Sequence, residues 1–213
     1  IDVCKTWFPL ALSWLMMGIE LPLLSAVVAR LANPEVNLGA YGGVVFPLSL
    51  LIEAPIIMLL TASTKLSRDL DSYKKLWRFM MIAGGGLSAL HLFVAVSPLF
   101  DLLVGDILGV ENDILEASRL GMIIMTPWTW AIAHRRFNQG VLIRFGHSRT
   151  VTWGTLTRLS AVLSVLFICY AMAKRAGLPE LGIIAATAAV SAGVVIEAMY
   201  IARKVQPIVR DIL

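Results

Sequence analysis

Charge is scarce in this chain: only 15% of its 213 residues are Asp, Glu, Lys or Arg, against about 25% in an ordinary soluble domain. With 58% apolar residues and a mean hydropathy of +0.81, a water-soluble globule is excluded, because no fold of this size hides that much apolar surface. Cysteine is almost absent. Cys4 and Cys169 lie at opposite ends of different segments, which excludes a disulfide framework and a thiolate metal site. The motifs of soluble catalysis are missing too: no glycine loop with its lysine for phosphate, no paired histidines at metal spacing and no serine elbow. The residues therefore make no case for an enzyme, a resident metal or an organic cofactor. The net charge of +4 is dispersed between apolar stretches, and no nucleic-acid partner is expected.

What is present is a series of apolar stretches of about 20 residues, the length that crosses a hydrocarbon core of about 30 Å at 1.5 Å rise per residue. Six can be marked, at about 8–28, 38–62, 77–96, 114–133, 151–173 and 181–202. The expected fold is an all-α integral membrane protein, with one six-helix transmembrane bundle over 1–203 and a tail over 204–213. The first stretch is too long, and lacks the cleavage pattern, for a removed secretory signal.

Basic residues set the orientation. Lys5, the run Lys65, Arg68, Lys74, Lys75 and Arg78, the run Arg135, Arg136, Arg144 and Arg149, and the terminal Arg203, Lys204 and Arg210 fall on one side. Arg30, Arg119, Lys174 and Arg175 fall on the other, with acids such as Glu35, Asp101, Asp106, Glu111 and Glu180. The positive-inside rule places both termini in the cytoplasm of a multi-pass protein, with a plasma (inner) membrane as the expected home. Residues 97–112 are too polar to cross and are expected as an interfacial turn. Residues 134–150 are expected as a cytoplasmic loop that lays its apolar side chains on membrane lipids and its cations on their headgroups.

The informative residues are ionisable ones inside the spans. Glu20, Glu53, Arg158 and Glu197 each lie among apolar neighbours, where a charge costs about 2.5–3.5 kcal/mol even on the lenient insertion scale. Glu20 and Glu53 are expected to line a hydrated cavity. Arg158 is open between pairing with a carboxylate and attracting an anion. Glu197, near Arg203, is expected to be structural, paired or snorkelling. Prolines 22, 47, 55 and 127 also fall inside spans, each removing a backbone donor, so Pro22, Pro47, Pro55 and Pro127 are expected to kink or break their helices, with a structural or gating role. The glycine triplet 84–86 and the alanine-rich last span are expected to allow close helix approach. Trp128, beside Pro127, either lines the cavity or packs. Protonatable groups at this depth favour a transporter over a passive scaffold.

The stretch from Ser25 to Gly42, SAVVARLANPEVNLGAYG, with Arg30, Leu31, Pro34, Glu35, Gly39 and Gly42, resembles the end of helix one and the start of helix two in multidrug and toxic compound extrusion transporters, members of the drug, oligosaccharide-lipid and polysaccharide exporter superfamily. Leu66-Ser67-Arg68 and the gapped Gly140, Gly146 and Arg149 are similar as well. The resemblance implies a secondary exporter or flippase, moving a small organic ion, drug or lipid-linked substrate by alternating access coupled to a proton or sodium gradient. The cavity expected to serve it is lined by helices one and two and takes in Glu20, Glu53, Arg158 and Trp128 from the reading above, with Ser25 added by the resemblance. Where many members carry an aspartate in helix one, this chain has Ser25, its nearest carboxylate being Glu20. Glu20 and the sequence around Trp128 to Gly140 also look like the ankylosis-type branch, which implies an organic anion such as citrate or pyrophosphate. The family pairs two six-helix bundles and this chain resembles the first; the terminal QPIVRDIL looks like the start of a linker. A second bundle is implied, in the same full-length chain or by dimerisation. The competing expectation is a structural or assembly membrane protein whose charges pair internally.

Overall fold

A computed structural model describes residues 2–176 and 181–211; the side chains of Lys5, Lys174 and Arg175, and residue Glu180, used above for orientation, lie outside the described residues. The described residues contain no strand. Helix α1 spans Asp2–Val28. A broken helix follows: α2 (Pro34–Leu38), a π-helical segment Gly39–Val45, α3 (Phe46–Glu53), a 3-10 turn Ala54–Ile56, and α4 (Leu59–Leu66). Then come α5 (Leu70–Val96), a π-helical segment Asp101–Ile107, α6 (Asn112–Arg144), α7 (Ser148–Ala176) and α8 (Leu181–Asp211).

Local chemistry sets the breaks. Pro47 and Pro55 have no N–H to return to the preceding turn, and the chain answers with a π-helical segment just before the first and a 3-10 turn around the second. Pro22 and Pro127 are carried inside continuous helices. Helix α6 stops at a Schellman motif, in which His147 N–H donates to the Leu142 carbonyl (2.8 Å) and Gly146 N–H to that of Ile143 (3.1 Å); Gly146 takes φ +80°, a conformation that glycine adopts without steric cost. Asp69 caps α5, accepting from the Ser72 amide at 2.8 Å. That bond first, and then one from the Ser72 hydroxyl at 3.2 Å, hold its carboxyl below the ordinary carboxylate range. The folded pKa being depressed, the cap's contribution is complete above the unfolded-state value and disappears as pH falls through the folded one. Asp69→Ala should lower the melting temperature in detergent at neutral pH, and melts repeated in acid should show that gap closing.

Helix directions follow from the contacts. The broken helix and α6 run in parallel, since a side chain at Gly39 would meet Ile114 and Thr64 donates to the Gly140 carbonyl. Helix α5 opposes α6, with His91 bonding to Met122 and Thr129 and Arg119 to Ala95. Helix α8 parallels α6 and opposes α7, and α1 parallels α7 through Thr152 to Pro9 and Arg158 to Glu20. Direction alternates at each successive long helix, so Asp2 and Asp211 lie at the same end of the bundle.

Five helical stretches are long and apolar enough to cross a membrane: Trp7–Val28, Pro34–Leu66, Leu70–Val96, Ser148–Ala173 and Leu181–Asp211. Helix α6 is long enough but too polar to meet that criterion. It is instead the centre, packed against α8, α5, α4 and the first π segment. The outer surface carries Trp14, Leu15, Leu51, Ile82, Phe93 and Phe167 in exposed positions while Arg135 and Glu197 are buried, the reverse of a soluble domain and the pattern of an α-helical membrane protein.

Two expectations are corrected. Residues 134–144 are not loop: they continue α6 for three more turns and bury Arg135, Phe137, Asn138, Gln139 and Leu142. Only 145–147 connect α6 to α7. The expected tail from 204 continues α8 to Asp211, with Val205 and Ile208 buried; α6 needs that extra length of neighbour to cover it. Residues 97–112 hold the second π-helical segment between α5 and α6, anchored by the Arg119–Asp101 ion pair and by Phe100, which lies under the Arg119 guanidinium.

Candidate functional site: a buried cluster of charges

Helical periodicity aims the charges inward. On α1 the buried residues are Ser13, Glu20, Leu24 and Val28, and on α7 they include Val151, Thr155, Arg158, Val162 and Leu166; each set is one stripe of period 3.6 facing the bundle. Glu53 ends α3 beside the 3-10 turn, on the same face as Ser49, Ile52 and Ile56.

The cluster contains two ion pairs. Arg135 Nη1 donates to Glu197 Oε2 at 2.9 Å and Gln139 Nε2 donates to Oε1 at 3.2 Å, so both oxygens of that carboxylate are satisfied. Arg135 is 2% exposed and Glu197 not at all. Arg158 Nη2 donates to Glu20 Oε1 at 2.7 Å. Tyr41, carried by the first π segment, lies in the electrostatic reach of both Glu20 and Arg158, and its hydroxyl has no hydrogen-bond partner.

Glu53 differs. It is 4% exposed, its Oε2 is buried without a hydrogen-bond partner, and the cations in its reach are Arg135, Arg136 and Arg158. Arg136 in turn senses Arg135, Glu53, Glu197 and Arg158. Nε of Arg135, Arg136 and Arg158 is also unpartnered. Three glutamates and three arginines, drawn from every long helix except α5, thus form one formally neutral group in which Glu53 and Arg136 make no direct ion pair among the described residues. A buried carboxylate oxygen without a donor is costly, and a proton, a water molecule or a small cation would each satisfy it. Among the described residues no three His, Cys, Asp or Glu side chains are grouped to hold a metal ion.

The expected site residues divide. Glu20, Glu53, Arg158 and Glu197 come together. Ser25 lies on the exposed face of α1, away from Glu20. Trp128 is buried against Phe46, ring centroids 6.5 Å apart, and its Nε1 has no hydrogen-bond partner among the described residues. Glu197 pairs with Arg135 and not with its neighbour Arg203. The small residues pack: a side chain at Gly193 would meet Val162 at 2.5 Å and the Arg158 stem at 3.3 Å, so this glycine lets α8 approach α7 where Arg158 sits.

Sequence reasoning missed Arg135, Arg136, Gln139 and Tyr41. A signal existed for the first three, since apolar Val141, Leu142 and Ile143 follow them and extend the helical pattern. It also missed two tethers. His91 bridges α5 to α6, its Nδ1 to Thr129 Oγ1 at 2.8 Å and its Nε2 to the Met122 carbonyl at 3.0 Å. Asn37 accepts from the Ile183 amide at 2.8 Å, capping α8. No family model, curated protein or solved structure matches this chain.

Proposed function

We propose that this protein is a secondary active transporter, an exporter or flippase that moves a small organic ion, drug or lipid-linked substrate by alternating access coupled to a proton or sodium gradient. It is a carrier in this reading, not an enzyme. Helix α6 is the sixth crossing, kept in the membrane by the helices around it, with both ends of the chain cytoplasmic in a plasma (inner) membrane. The bundle works with a second one, in the same full-length chain or by dimerisation.

One observation carries the reading: Glu53, on the helix interrupted twice, is buried with an unsatisfied carboxylate oxygen, in the electrostatic reach of three arginines. Ionisable groups inside membranes mark ion and substrate paths, and interrupted helices in transporters supply the binding backbone. A second reading, a structural or assembly protein with internally paired charges, is favoured by the complete pairing of Glu197.

The test is flux into sealed proteoliposomes of the full-length protein, under imposed proton or sodium gradients, with a labelled cationic dye and with labelled citrate or pyrophosphate. Glu53→Gln should reduce gradient-driven flux to background while melting no lower than wild type, because the side chain it neutralises has no direct ion pair. Absence of flux of every probe by well-folded wild type, with Glu53→Gln only raising stability, would favour the structural reading. The probe that moves assigns the substrate's charge.

A further inference from the structure

A groove runs along the outside of the bundle over α6, between α5 and α8. It has two compartments that share His134 and Ala202. The first, about 290 Å³, is walled in part by His134, Asn138, Gln206 and Arg210 and lies near the end of the bundle where α5 begins and α6 and α8 end. The second, about 300 Å³, reaches Trp130, Val195 and Met199, farther from that end, and has Arg203 on its wall. The Trp130 and His134 rings stack at 4.9 Å between them. Polarity therefore falls along the groove, from hydrogen-bonding groups and Arg210 at its mouth, past Arg203, to an apolar inner part at Trp130, Val195 and Met199.

The dimensions match one kind of molecule. From Arg210 to Val195 is fifteen residues of α8, roughly 22 Å at 1.5 Å per residue, and one leaflet of a bilayer about 40–45 Å thick overall is of that length. Tyr73 and Trp77 line the mouth, as aromatic side chains do at the level of headgroups. Arg203 and Arg210 are exposed; the only ion pair of Arg210 among the described residues is a loose one with Asp211 at 3.8 Å, and Arg203 has none there.

We propose that this groove is a binding site for one anionic phospholipid, with the phosphate at the mouth between Arg203 and Arg210 and an acyl chain along Trp130, Val195 and Met199. The site is independent of the transport reading. It is separate from the charge cluster, which faces the interior.

Native mass spectrometry of the full-length protein, purified in mild detergent and offered equimolar phosphatidylglycerol and phosphatidylcholine, tests it. Wild type should retain one lipid and favour phosphatidylglycerol by roughly tenfold or more, as two cations at a headgroup predict. Ala202→Phe fills the waist between the compartments and should abolish retention. Arg203→Ala with Arg210→Ala should leave one lipid bound and level the preference; both positions being exposed, this pair carries the test if Ala202→Phe does not fold. Retention by wild type no greater than by Ala202→Phe, or equal retention of the two lipids, overturns the proposal. So does displacement by soluble glycerol phosphate, which gives the site to a free phosphate, or a lipid-free dimer, which gives the groove to a second copy.

Discussion

Arg135→Met should cost about 3–5 kcal/mol of stability, the usual result of leaving one partner of a buried ion pair uncompensated. The side chain it orphans is Glu197, fully buried in α8, whose remaining hydrogen bond would come from Gln139 alone. Glu197→Gln alone should be destabilising for the converse reason, since Arg135 would keep its charge with only a neutral amide oxygen to donate to. The double variant Arg135→Met with Glu197→Gln should recover most of the loss, because no charge is stranded and the two neutral amides at 139 and 197 can bond to one another. Thermal melts of the four proteins in one detergent form a double-mutant cycle, and contacting partners are expected to be strongly non-additive. A single variant that melts with wild type would show that the pair does not hold α6 to α8.

Gly140→Ala should be the most damaging of the small changes. The added Cβ would fall on the Ser63 hydroxyl and on the Leu60 carbonyl oxygen. The hydroxyl can turn away, but the carbonyl belongs to the backbone of α4 and cannot. Helix α4 is fastened at that level: Thr64 Oγ1 donates to the Gly140 carbonyl at 3.3 Å, and Arg144 Nη1 caps the end of α4 at the Thr64 carbonyl, 2.9 Å away. Overpacking of this kind costs about 1–3 kcal/mol. Gly85→Ala and Gly86→Ala are the controls, because a Cβ at either meets nothing within 4 Å and alanine improves helix propensity by about 1 kcal/mol. Expression yield and melting temperature should fall for position 140 and hold or rise for 85 and 86. Equal behaviour of the three would refute the close approach of α4 to α6.

What was legible in the sequence was whatever depends on local composition. Apolar stretches announced the helices, prolines 47 and 55 announced the interruption of the second, and isolation among apolar neighbours picked out Glu20, Glu53, Arg158 and Glu197. The partners of those charges were not legible, because each pair joins residues far apart: 138 positions for Arg158 and Glu20, and 62 for Arg135 and Glu197. Arg135 and Arg136 follow His134 in a cationic run, and such a run ordinarily marks a membrane edge. Only the presence of Glu197 across the helix interface makes burial of Arg135 tolerable, and no property of the segment itself reveals it. Ser25 is the contrasting case. Its position was singled out by resemblance, but the inward stripe of α1 passes through Glu20 and Leu24 and turns the serine outward.

The distance between Arg135 and its acceptor also orders events during synthesis. Arg135 leaves the ribosome 62 residues ahead of Glu197, an interval of about 3–12 s at 5–20 residues per second. Throughout that time the end of α6 carries two arginines with no acceptor from α8, and the helix lacks the apolarity to settle among lipids alone. In the proposed six-span topology α6 would wait beside the insertion machinery until α8 arrives, so that the passage of α8 completes that of α6.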